Sequence, residues 1–158
     1  MKSLREAVAA PSHYEQLKEL EWLVGEWVDQ DENSSINTVC QWTKNKNFLS
    51  RSFAVSIADS IQLEGTQVIG WDPTRSVIRS WMFDSDGGFS VGLWTREGDR
   101  WTIRTLQILA GGEKASSVNI LTRVNDDKFT WESVNREVDG EVLPNIDQVT
   151  VARKQSNN

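Results

Sequence analysis

From Tyr14 onward, apolar residues return every third or fourth position. Tyr14, Leu17, Leu20, Leu23 and Val24 share one face of a helix. Ser12 stands at the N-cap position, Glu15 three residues later completes a capping box, and Gly25 is a natural stop. This pattern predicts an amphipathic helix of about three turns whose apolar face must pack on something.

After Gly25 the hydrophobic period changes to two. Alternating runs over 26–30, 35–44, 47–58, 61–71, 76–84, 88–96, 100–109, 114–124, 128–138 and 147–154 predict about ten strands. Turn chemistry separates them. Asp72-Pro73-Thr74-Arg75 fits a type I turn, and Asp86-Gly87, Gly98-Asp99, Gly111-Gly112, Asn125-Asp126 and Asp139-Gly140 suit hairpins. No segment between runs is long enough for a βαβ crossover, so the sheet must be antiparallel. Consecutive hairpins build a meander, and closing it removes the exposed edges. The expected fold is therefore all-β, an up-and-down antiparallel barrel of about ten strands behind a short N-terminal helix. One domain is expected over residues 13–154, with loose ends at 1–12 and 155–158.

Alternation also assigns faces. Leu49, Phe53, Val55 and Ile57 share a face with Arg51. Ile61, Leu63, Ile69 and Trp71 share one with Gln67. Val77, Trp81 and Phe83 align with Arg79. Trp101 and Ile103 oppose Thr102 and Arg104, and Phe129 and Trp131 share a face with Ser133 and Asn135. The expected interior is thus aromatic and aliphatic, with Arg51, Gln67, Arg79 and Asn135 as sparse polar anchors. Such a mix suits a small amphipathic molecule, its acid group meeting Arg51 or Arg79. The candidate ligand-binding residues are Trp42, Arg51, Phe53, Gln67, Trp71, Arg79, Trp81, Trp101, Trp131 and Asn135.

Composition narrows the chemistry. The net charge of −6 disfavours nucleic acid and anionic membranes. One cysteine, Cys40, and one histidine, His13, exclude an internal disulfide and the usual zinc cages. Eight tryptophans spread along 158 residues fit a packed core or a lined cavity. The first ten residues lack the apolar core of a secretion signal, so the cytoplasm is the expected compartment. Asp29-x-Asp31-x-Asn33 opens like a calcium loop, but Ser34 replaces the glycine and Cys40 the bidentate glutamate. No nucleophile elbow or phosphate loop is present, and Cys40 reads as a small core residue. Acid–base chemistry without histidine would fall to Asp84 and Glu132. No metal is expected.

Leu20-Glu21-Trp22-Leu23-Val24-Gly25-Glu26-Trp27 resembles the start of lipocalin-like (calycin) families related to nitrobindin and the fatty-acid-binding proteins. Gly65-Thr66-Gln67-Val68-Ile69-Gly70-Trp71-Asp72, followed by Ser80-Trp81 and Asp84, is similar to the corresponding strands of a bacterial branch. The segment Phe129–Arg153, with Asp139-Gly140 and Leu143-Pro144, resembles the closing strands. The likeness spans about residues 13–154 and implies a lipocalin-like barrel. It is also similar to the C-terminal half of bacterial two-domain proteins whose N-terminal half is SnoaL-like. Nitrobindin-type haem needs an axial histidine near the C-terminus, and residues 140–158 contain none, so no haem or other cofactor is expected. Binding of a small apolar or amphipathic molecule, without catalysis, ranks first. An interaction or homodimerisation module with a side-chain-filled barrel, or an isomerase, cyclase or hydrolase-type enzyme, are the alternatives.

Overall fold

The computed structural model describes residues 11–155, and the expectations for 1–10 and 156–158 lie outside them. The meander is present from end to end. Its strands are β1 (Gly25–Gln30), β2 (Ser34–Trp42), β3 (Phe48–Ile57), β4 (Ser60–Asp72), β5 (Val77–Asp84), β6 (Phe89–Glu97), β7 (Arg100–Ile108), β8 (Lys114–Asn125), β9 (Lys128–Val138), β10 (Glu141–Leu143) and β11 (Ile146–Arg153). Each strand from β1 to β9 pairs antiparallel with the next, and β11 pairs with both β9 and β1, so ten strands close into a barrel. The three-residue β10 hairpins onto the far end of β9. Pro144, which carries no N–H for a ladder, separates it from β11.

The N-terminal helix differs from its expected pitch. Only Tyr14–Leu17 (α1) is α-helical, and Lys18–Leu23 continues as a 3₁₀ helix. The spacing of Leu17, Leu20 and Leu23 accounts for this. Three residues per turn stacks all three leucines in one line, and all three are fully buried. The N-cap is His13, without a side-chain cap bond, and not the expected Ser12, whose Oγ accepts the Tyr14 N–H at 3.1 Å from one residue further out. Glu15 forms no capping box and instead pairs with Lys18.

This helix plugs one end of the barrel. Its leucines join Trp27, Cys40, Leu49, Ile69, Ile78, Trp94, Trp101, Ile103, Leu121 and Phe129 in one core contributed by every strand from β1 to β9. The plug is held at both of its ends. Glu21 accepts Tyr14 Oη and Trp42 Nε1, both at 3.0 Å, with Lys46 Nζ at 3.6 Å. Burial raises the Glu21 pKa, but these donors more than offset it and hold the carboxyl below its ordinary value. Opposite, Arg153 donates to the carbonyls of Val24 at 2.7 Å and Trp22 at 3.0 Å while stacking on Trp27. A Cβ on Gly25 would meet that guanidinium at 2.3 Å, and φ there is +128°. Glycine is therefore required at the hinge between plug and barrel.

Candidate functional site

The two ends of the barrel differ. On the plugged side the inward positions are large: Ile78, Trp94 and Ile103 lie in one transverse row. In the neighbouring row, Ile69 and Leu49 of β4 and β3 are large, but the positions on β5–β8, Ser80, Gly92, Thr105 and Ser117, have no side chain larger than threonine. Space therefore opens past this row. Toward the other end, the inward-facing Thr38, Phe53, Met82, Ser90 and Gln107 are only half-buried. Residues that face the inside of a closed barrel meet water only if water enters it. The open end is thus a cup, and the tryptophan core is its floor.

Arg51 stands in this cup. β3 pairs with β2 and β4 so that Cys40, Arg51 and Gln67 lie side by side on the inner face. Arg51 Nη1 donates to Gln67 Oε1 at 2.8 Å, and Gln67 is itself buried. Arg51 Nε is buried without a partner. No carboxylate pairs with this guanidinium among the described residues. Burial holds its pKa below the ordinary value, the nearby Cys40 acting weakly the other way. Guanidinium nonetheless stays protonated in proteins, so the cup contains an uncompensated positive charge.

The candidate residues distribute as follows. Arg51, Phe53 and Gln67 come together in the cup, with the Phe53 ring lying across Gly65. Trp71, Trp101 and Trp131 also face inward, but belong to or pack on the core of the plugged half. Trp42 clasps Glu21 and Tyr14 at the plug. Arg79 and Trp81 correct the reading of their strand, because both lie on the outer face. Ile78, Ser80 and Met82 face inward instead. That strand is apolar on both faces, so alternation alone does not orient it; the Trp94 Nε1 bond to Ser80 Oγ at 2.9 Å and the packing of Ile78 do. Asn135 is likewise not inward. It sits at φ +50° where β8 and β9 slip register, and it is exposed. The register slip after Val55 similarly moves Ile61 opposite the outward Ser56. Met82, Ser90 and Gln107 of the cup are not among the sequence candidates. Their only signal in the sequence is a run of small or polar residues at alternate positions.

Of the carboxylates, Asp84 is occupied by its own turn, accepting the backbone N–H groups of Asp86 at 3.0 Å and Gly88 at 3.2 Å. Glu132 pairs with Ile120, on the face opposite Trp131 and Ser133. Neither shares the cup with Arg51 as a free acid.

Cys40 is buried beside Arg51, and burial raises its thiol pKa to about 11. The folded protein will therefore resist iodoacetamide at pH 8, with labelling about a hundredfold slower than in urea. Mass spectrometry of the single adduct measures this. The stability that the neutral thiol contributes is intact below its ordinary value of 9.0 and is lost as pH rises from there through about 11.

The outer wall of β5–β8 is unusually apolar. Trp81, Val91 and Leu106 form one transverse row, and Phe83, Phe89 and Ile108 the next. Phe83, Phe89 and Leu106 are 57%, 47% and 65% exposed. Beside them lies an open groove of about 660 Å³, reached by Arg75, Arg79 and Arg104. No helix among the described residues is long and apolar enough to cross a membrane. Compared with known proteins, the chain matches no family model and no curated protein.

Proposed function

We propose that this chain is a binding barrel for a small amphipathic anion. The apolar body of the ligand lies among Phe53, Met82 and the upper wall, and its acid group reaches Arg51 beside Gln67. One observation carries this reading: a buried guanidinium in a water-accessible cup, with a free Nε–H and no carboxylate of its own. Leaving such a charge unpaired is expensive, and an anionic ligand supplies the missing partner. A lipocalin-like barrel is the setting in which such a cavity forms.

Calorimetry with dodecanoate and 1-dodecanol as probes tests the reading. A charge-assisted hydrogen bond is worth about 1.5–3 kcal/mol, so the carboxylate should bind roughly 10–100-fold tighter than the alcohol. Arg51→Met should abolish that preference while leaving alcohol binding intact. Equal affinities in the wild type would overturn the proposal.

The route into the cup adds a kinetic signature. The connections at the open end, 31–33, 58–59, 85–88, 109–113 and 139–140, contain Asp31, Glu32, Asp59, Asp86, Glu113 and Asp139 and no lysine or arginine. This rim repels an approaching anion, so dodecanoate association should accelerate as salt rises.

A further inference from the structure

The outer groove is lined mainly by outward-facing residues of β5–β9, with Thr105 and Ser117 of the inner row also contributing, and it has its own chemistry. We infer that it is a second binding site, for an aromatic or alkyl molecule bearing a single acid group. Its geometry follows from register. Arg79, Leu93 and Arg104 are direct cross-strand neighbours, so the two guanidinium stems flank Leu93 at roughly 10 Å from each other. Arg75 reaches the same space from the β4–β5 turn. The adjoining row, Trp81, Val91 and Leu106, runs on to Phe83 and Phe89. An acid group set above Leu93 thus meets arginines on both sides, and its body extends down a wall of apolar side chains.

The charges there are not internally balanced. Arg79 pairs with Asp72 at 3.3 Å and stacks on Trp81, but its Nε is buried without an acceptor. Neither Arg75 nor Arg104 forms an ion pair among the described residues. Glu137 also lines the groove, but two strands away from Arg104, roughly 10 Å by strand spacing. It limits the site to one acid group placed at the arginine side. In a protein of net charge −6, an arginine-flanked apolar groove is a local exception in both sign and polarity. Its volume falls within the ordinary range for small-molecule sites.

The probe is 8-anilinonaphthalene-1-sulfonate, titrated by fluorescence against the full chain, with oligomeric state followed by sedimentation. Wild type and Arg51→Met should both bind it, since Arg51→Met removes only the anion preference of the cup. Arg104→Glu should weaken binding at least tenfold, and Leu106→Asp should abolish it. Both substitutions fall on exposed side chains, and circular dichroism checks that the fold survives. Loss of binding in Arg51→Met with Arg104→Glu unaffected would place the dye in the cup alone and overturn the inference. So would absence of binding to the wild type. A wild-type dimer that Leu106→Asp dissociates would also overturn it, by assigning the face to a second copy of the chain.

Discussion

Trp27→Ala is expected to lower the unfolding free energy by about 4 kcal/mol. Three losses combine at this position. The indole is 1% exposed, so its removal opens a large cavity between plug and barrel. Its Nε1–H bond to the Leu23 carbonyl, at 2.8 Å, disappears from a buried site. The rings of Trp22 and Phe129, at 6.2 and 4.9 Å, lose their edge contacts, and Arg153, 4.3 Å above the indole face, loses its stacking partner. For a chain of this length the melting temperature should fall by roughly 10–15 °C. Urea unfolding followed by far-ultraviolet circular dichroism gives the number without relying on the deleted fluorophore. A loss below about 1.5 kcal/mol would mean that the plug repacks over the gap. The floor of the cup would then not be the rigid element described above.

The sequence made the sheet legible because its punctuation is local. Asp139-Gly140 supplies two consecutive positive φ angles, +49° and +85°, and Asp72 caps its own turn through Thr74 and Arg75. Strand limits follow from such residues without knowledge of the tertiary fold. The inner face was legible where one side of a strand is polar, as in β3, where Leu49, Arg51, Phe53 and Val55 alternate with serines and an alanine. It was not legible in β5, where Val77, Ile78, Trp81, Met82 and Phe83 leave both sides apolar. There the outer groove competes with the core for the same kind of residue. Nor could alternation survive a bulge, which is why Ile61 and Asn135 changed sides. The position of the helix is legible but its pitch is not, because leucines at i, i+3 and i+6 fit three residues per turn better than 3.6. Part of the candidate site, Arg51 with Phe53 and Gln67, was therefore readable. The open half of the barrel was not, because a cavity is marked by small side chains, and small side chains in strands also occur without one.

The Arg51–Gln67 pair gives the sharpest separation between what holds the barrel and what it is for. Arg51→Met removes a desolvated charge but leaves Gln67 Oε1, buried, without its donor. The two effects oppose each other: relief of the unpaired guanidinium against about 1–3 kcal/mol for the stranded acceptor. The single variant should therefore stay within about 1 kcal/mol of wild type. Arg51→Met combined with Gln67→Leu removes both groups together and leaves only apolar neighbours. That double variant is expected to be more stable than wild type by about 1–4 kcal/mol, with the melting temperature raised by roughly 3–15 °C. It should also bind dodecanoate no better than 1-dodecanol. A polar pair that weakens the fold and strengthens anion binding is what a recognition site requires. A double variant less stable than wild type by about 2 kcal/mol or more would instead make Arg51 a structural bracket between β3 and β4. In that outcome the unpaired guanidinium would no longer argue for an anion in the cup.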